Sequence, residues 1–255
     1  MSHAISRHCC QGVWTVLRFN WHLHLIALVG IIASISAAVF LTGPVSLLFA
    51  ALAFGAVCSV LLSFVATWIA YDASGLYQSD WLRPLVANAR HAANIHAGFD
   101  EITPILHESF PMTAWKIFDF YHAEKHTEIS IQRARKAHPP DPTTISIDTE
   151  KIPLNDQSID CAVLFLAAHE IRDHRERVAF FRELRRVLAK YGKIVVTEHL
   201  RDAANIAAYS IGAWHFHSRA EWLSTFREAG LHVANEHRNN LFITTFLLVA
   251  DENTH

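Results

Sequence analysis

Between Phe19 and Tyr71 the chain runs for 53 residues without a Lys, Arg, Asp or Glu, and Leu, Ile, Val, Ala and Phe dominate the run. A helix crossing a ~30 Å hydrocarbon core needs about 20 apolar residues, so this run is two spans long. The turn pair Gly43-Pro44 divides it into 23–42 and 45–71. A secretory signal has an apolar core of only about 7–15 residues, so the pattern predicts a transmembrane hairpin of two helices joined by a tight loop. Ser34, Ala37 and Ala38 in the first span and Ala50, Ala53 and Ala56 in the second are small enough to let the helices approach closely. Trp21 and His22 at one end, and Trp68 and Tyr71 at the other, suit the headgroup depth where amphipathic rings collect.

Past a polar connector the period changes repeatedly. Residues 115–121 read as a short buried strand, 127–136 as a helix, 144–148 as a β-branched strand, and 159–166 as the continuous apolar run of a central parallel strand. Val178, Phe181, Leu184, Val187 and Leu188 fall at helical spacing within 175–190, with Gly192 as a stop. A strand at 193–197, a helix at 219–229 and two strands at 231–236 and 241–250 follow. The alternation predicts an α/β doubly wound sheet that ends in an antiparallel hairpin. The expected division is an anchor at 1–72, a connector at 73–91 and a folded domain at 92–255. Ligands of such sheets bind at the carboxyl ends of the strands near the topological switch point, which directs attention to Gly98, Asp119, Asp148, His169 and His199.

Charge sharpens the division. Residues 1–71 hold only Arg7 and Arg18, whereas residues 72–255 hold the other 20 basic and all 24 acidic residues. Arg7 and Arg18 precede the first span, Arg83 and Arg90 follow the second, and the connecting loop is uncharged, so both ends of the hairpin are expected on the cytoplasmic side. The spans contain no acid or base, which argues against transport or proton relay. A net charge of −2 offers no basic footprint for nucleic acid. The four cysteines form no disulfide framework, and Cys9-Cys10 lacks the other signals of a lipidation site.

Asp148-Thr149-Glu150-Lys151-Ile152-Pro153-Leu154, followed by Asp156-Gln157-Ser158-Ile159-Asp160, resembles the stretch after strand three in class I S-adenosylmethionine (SAM)-dependent methyltransferases of type 11, and the quinone-biosynthesis C-methyltransferases especially. Glu183-Leu184-Arg185-Arg186-Val187-Leu188 with Gly192-Lys193-Ile194-Val195-Val196 resembles their later helix and fifth strand, and the resemblance spans about 92–250. It implies a Rossmann-like methyltransferase sheet and SAM as cofactor. Ala97, Gly98 and Asp100 would belong to its first loop, Asp119 and Phe120 to the end of strand two, Asp148 and Thr149 to the stretch after strand three, and Leu166 to the end of strand four. Asp119 would accept from the ribose hydroxyls, and it lies 21 residues after Gly98. Asp148 would accept from the adenine amino group beside the Thr149 backbone. Read without the resemblance, Asp119 also suits a strand-to-helix turn and Asp148 a cap.

The first loop departs from the family, because Asn94-Ile95-His96-Ala97-Gly98-Phe99-Asp100-Glu101 carries one glycine where several are usual. Asp100 and Glu101 there suit either a cationic ligand or the cap of the next helix. His169 and His199, following successive strands, are the candidate general bases for the acceptor. The pairs His122/His126 and His215/His217 lack the context of a zinc site, so no metal ligands are assigned. The expected activity is methyl transfer to a lipophilic or membrane-associated small molecule, with the bilayer as partner. A non-catalytic binding or assembly module on the same fold, and an enzyme using another nucleoside or nucleotide, stay open beside it.

Overall fold

The computed structural model describes residues 7–251. A short amphipathic helix, α1 (Gln11–Phe19), comes first and lies outside the elements expected from the sequence. Then follow α2 (Trp21–Phe40) and α3 (Pro44–Trp68), the latter continued by a π-helical turn at Ile69–Ala73. Gly43 makes the reversal at φ +69°, a backbone region open to glycine, and Pro44 occupies the first turn of α3, where its missing N–H costs nothing. Both helices are long and apolar enough to cross a membrane, and their most apolar windows are only 0% and 6% buried by the rest of the protein. They are not core helices of the folded domain. Ser34, Ala37, Ala38, Ala53 and Ala56 are at least partly covered, as close helix packing requires, whereas Ala50 is exposed. Ser46 also ties the helices by donating its hydroxyl to the Ala38 carbonyl at 2.6 Å.

The rest of the chain runs α4 (Arg83–Val86), β1 (His91–His96), α5 (Thr103–Ser109), β2 (Ala114–Asp119), α6 (Ile129–Ala137), β3 (Ile145–Ser146), β4 (Ile159–Phe165), α7 (His174–Val187), β5 (Leu188–His199), α8 (Ala203–Tyr209), α9 (Arg219–Glu228), β6 (Leu231–Arg238) and β7 (Ile243–Ala250). The seven strands lie in the order β3-β2-β1-β4-β5-β7-β6. β1 to β5 pair in parallel and β7 runs antiparallel between β5 and β6. The chain works outward from β1 to β3 and then returns to β4, so the switch point lies between β1 and β4.

Alternation along the strands splits the core into two faces. Ile194 and Val196 of β5 join Phe180, Phe181, Leu184, Trp222 and Phe226 from α7 and α9 on one face. Val195 joins Leu106, Val86, Ala208 and, from the end of the apolar hairpin, Ala66 and Ala70 on the other. Helix α7 stops at Val187, three residues short of the expected end. Leu188 is already extended and pairs with Ile159, and the register then jumps to Cys161 opposite Lys193, so residues 189–192 bulge outward. Leu188 is buried in its strand position, so hydrophobic spacing alone does not distinguish the end of the helix from the start of the strand. Helix α9 starts on a full capping box, with Ser218 and Glu221 exchanging hydrogen bonds with each other's backbone N–H.

The end of the hairpin docks on this domain. The Asn240 amide donates to the Ala70 carbonyl at 3.2 Å and Arg133 of α6 donates to the Phe19 carbonyl at 2.8 Å, while within the N-terminal segment the Gly12 and Val13 N–H groups donate to Asp72 at 2.7 and 3.2 Å and tie α1 to the end of the hairpin. A 3₁₀ turn at Ser210–His215 lies alongside α3, with the Ser210 and Ser59 hydroxyls 3.4 Å apart.

Candidate active site

The carboxyl ends of β1 and β2 meet at Asp119. One oxygen, Oδ1, accepts from the Gly98 and Tyr121 N–H groups at 2.8 and 2.9 Å, while Oδ2 pairs with Arg135 of α6. Gly98 takes φ +84°, and a Cβ there would meet the Tyr121 ring at 3.0 Å, so conformation and space both require glycine. The Arg135 guanidinium covers the same tyrosine ring at 4.7 Å. Phe99, Phe19 of α1 and His138 form an aromatic cluster with ring centroids 5.4–6.1 Å apart, which brings α1 against the first loop.

His96 sits in that loop almost fully buried, and neither ring nitrogen has a hydrogen-bond partner. Its nearest carboxylates are Asp119 at 3.7 Å and Asp100 at 3.9 Å. Burial lowers its pKa against the pull of both acids. Asp100 Oδ1 accepts from the Ile102 and Thr103 N–H groups, both at 3.0 Å, and so caps α5. Glu101 accepts from the Tyr77 hydroxyl at 2.7 Å and pairs with Arg7 at 3.0 Å. Of the two roles open to these acids, the geometry gives Asp100 the cap and gives Glu101 a tie to the N-terminal segment.

The other expected cofactor positions divide between surface and core. Asp148 is exposed at the end of β3, and Thr149 beside it is buried with its hydroxyl on Glu176 at 2.5 Å. Phe120 packs on Phe180 and His126 in the core. Ala97 is buried, and Leu166 follows β4 at φ +50° with its N–H on the Thr197 carbonyl at 2.8 Å. The donor set fits a nucleoside cofactor in kind, with a carboxylate at the end of β2, a positive-φ glycine bonded to it, and an unpartnered buried imidazole beside the carboxylate. Arg135 on Asp119 is the feature such a ligand has to displace.

At the ends of β4 and β5 the two histidines have different surroundings. His169 Nδ1 lies 2.6 Å from Glu198, whose other oxygen accepts from the Ala167 and His169 N–H groups. Nε2 of the same ring lies 3.4 Å from Glu170. Burial opposes a charge on His169, but Glu198 and Glu170 outweigh it and raise the pKa to about 10. His199 is on the opposite face of β5. The Asn205 amide nitrogen donates to Asp202 and to the Phe242 carbonyl, so its oxygen faces His199 and accepts from Nδ1–H at 3.0 Å. His199 Nε2 then accepts from the Tyr71 hydroxyl at 2.7 Å. Burial lowers the His199 pKa to about 4, with the Asn205 bond working the other way and the His169 charge adding to the fall. Its lone pair is committed to Tyr71 at the end of the apolar hairpin. Phe216 lies between the two histidines, stacked on His199 at 4.7 Å and edge-on to His169 at 6.1 Å.

Several participants were not among the sequence candidates: Arg135, Glu198, Tyr71 and His215. Glu198 had an available signal, because strand alternation sends it to the face opposite its neighbour His199 and therefore toward the loop after β4.

Residues 120–196 match the sequence profile of the methyltransferase domain family Methyltransf_11. No curated protein sequence matches the chain. Among solved structures, the mitomycin 7-O-methyltransferase MmcR is similar over 96% of this chain and 73% of its own, at 14% identity and a TM-score of 0.52. The PH0226 protein from Pyrococcus horikoshii OT3 is similar over 71% of this chain and 91% of its own, at 12% identity and the same TM-score of 0.52. A SAM-dependent methyltransferase from Aquifex aeolicus matches over 62% of this chain and 81% of its own, at 15% identity and a TM-score of 0.47. The strand order and these similarities show a mixed α/β, Rossmann-like methyltransferase fold, within which residues 120–196 match a methyltransferase domain profile.

Proposed function

We propose that the chain is a membrane-anchored SAM-dependent methyltransferase acting on a lipophilic acceptor from the cytoplasmic side of the bilayer. The observation that carries this reading is the docking of the hairpin on the carboxyl edge of the sheet. Tyr71 of the π turn meets His199 at the end of β5, and Phe19 at the start of the hairpin meets Phe99 after β1. In a doubly wound sheet that edge is where ligands bind, so an acceptor dissolved in the bilayer reaches it without crossing water. When bound, SAM supplies a sulfonium methyl group for in-line displacement. The chain's own tasks are then to position the acceptor and let its proton leave. Asp119 and Gly98 would hold the nucleoside; neither histidine offers a free lone pair as a base, because Glu198 and Glu170 hold His169 in its protonated form and His199 Nε2 accepts from Tyr71, so the acceptor's proton goes to solvent or to a neighbouring carboxylate. The resemblance of 148–160 to quinone-biosynthesis enzymes makes quinone precursors and membrane lipids the first acceptors to try.

A second reading, a non-catalytic binding or assembly module, is favoured by the Arg135 lock on Asp119 and by the aromatic cluster beside the loop. Calorimetric titration of SAM and its demethylated product into the detergent-purified full chain separates the two. The methyltransferase reading expects saturable binding that Asp119→Asn weakens roughly 10- to 100-fold, the scale of about 1.5–3 kcal/mol for a hydrogen bond to a charged group. A folded chain that binds neither compound gives the module reading instead.

A further inference from the structure

We propose that His169, Glu170 and His215 bind a divalent transition-metal ion of the zinc class at the acceptor end of the site. Their three ligand atoms lie within 4.8 Å of one another. Glu170 Oε1 is 3.4 Å from His169 Nε2 and 3.2 Å from His215 Nε2. Tetrahedral ligands at the usual zinc distances are about 3.3 Å apart, so these separations need little adjustment. The set comes from two places in the chain, the 3₁₀ turn at Ala168–Glu170 after β4 and the turn at Ser210–His215 before α9.

The surroundings of the rings strengthen the case. His169 Nδ1 is 2.6 Å from Glu198, a carboxylate fixed by two backbone N–H groups, and His215 Nδ1 is 2.6 Å from Glu128. Carboxylate partners of this kind fix the tautomer of metal-bound histidines and aim the other nitrogen at the ion. With His169 Nδ1 on Glu198 and His215 Nδ1 beside Glu128 and the Arg172 guanidinium, the two Nε2 atoms face the Glu170 carboxylate. Arg172, which also contacts His215 and Glu128, is the nearby cation that the ion would push aside. Two imidazoles and one carboxylate suit zinc-class ions better than magnesium or calcium, which prefer all-oxygen sets.

Three protein ligands leave a fourth position open. If the methyltransferase reading holds, that position serves an acceptor oxygen, because a hydroxyl bound there gives its proton to solvent more readily. Binding of the ion itself does not depend on that reading.

The test is titration of Co²⁺ into chelator-stripped full-length protein in detergent, followed by visible absorption, with Zn²⁺ as competitor. One equivalent is expected to give the intense bands of a low-coordinate site. His169→Gln, Glu170→Gln and His215→Gln should each lose the bands, and Glu198→Gln should weaken binding roughly 10- to 100-fold while keeping all three ligands. His174→Gln, whose exposed ring pairs with Glu228, should bind as the native chain does. His215 is on a partly exposed turn, so its variant decides the matter even where changes at the buried residues disturb folding. Bands that persist in His215→Gln, or a folded native chain without them, overturn the site. A chain that binds Co²⁺ but no SAM refutes the methyltransferase reading alone, and the reverse result refutes only the ion.

Discussion

Arg135 decides how available Asp119 is. The carboxylate is 2% exposed and both oxygens are engaged, yet the Arg135 side chain retains 28% exposure and projects from α6, so it is the partner that can leave. Removing it frees Oδ2 for a ribose while the two backbone N–H groups still orient Oδ1. Arg135→Gln is therefore expected to raise SAM affinity by roughly fivefold, about 1 kcal/mol, in the same calorimetric titration. Unchanged or weaker binding would mean that Arg135 supports the site instead of blocking it. Sequence spacing located Asp119 and Gly98 because both follow from the strand-to-loop period of a doubly wound sheet. It could not locate Arg135, 16 residues further on, or pair His215 with His169, because those meetings depend on how loops fold over the strand ends. The histidine pairs close in sequence drew attention, whereas the convergence that matters joins residues 46 positions apart.

At the scale of elements, the joint between α3 and β5 carries a pH dependence. His199 has an ordinary pKa of 6.5 and a folded value of about 4. As pH falls through that window the unfolded chain takes up a proton that the folded chain refuses, so stability is lost between about pH 6.5 and 4 and is unaffected above it. The full loss is about 3 kcal/mol. Tyr71 and Asn205 hold the ring, His169 adds to the fall in its pKa, and Asp202 opposes it. Thermal unfolding of the detergent-purified chain should show a shallower pH slope for His199→Gln than for the native protein. A residual slope of the same sign is expected from His96, His126 and His217, whose pKa values are also lowered; identical slopes would remove His199 from the account. The central strand β4 and the helices α7 and α9 were legible because their apolar runs are long enough to stand out. The elements that sequence reading left out include α1, α4, β1, α5, α8 and the π turn, of 9, 4, 6, 7, 7 and 5 residues, too short for a period to show.

For the whole molecule, the proposed anchoring implies a depth for one turn of the domain. Ser59, which touches Ser210, is nine residues before Trp68, so the Ser210–His215 turn reaches about 13 Å along α3 toward the reversal at Gly43. Ile211 and Trp214 on that turn are 85% and 68% exposed, which suits lipid contact far better than water. The sequence separated anchor from domain by charge, but it gave no sign that a loop of the domain would lie beside the anchor. We expect this turn to enter the bilayer and to deliver acceptor to the site behind it. A nitroxide on Ile211→Cys, in liposomes, should be relaxed more by oxygen than by a water-soluble nickel complex, as a label at Leu61→Cys should be. A label at Met112→Cys, 92% exposed in the turn before β2 at the opposite edge of the sheet, should show the reverse. Cys9, Cys10 and Cys58 are exposed and must first become serine, whereas buried Cys161, its thiol pushed up to about 12 by burial, stays unlabelled. A nickel-accessible label at position 211 would place the turn in water, and the acceptor would then have to leave the bilayer before it reacts.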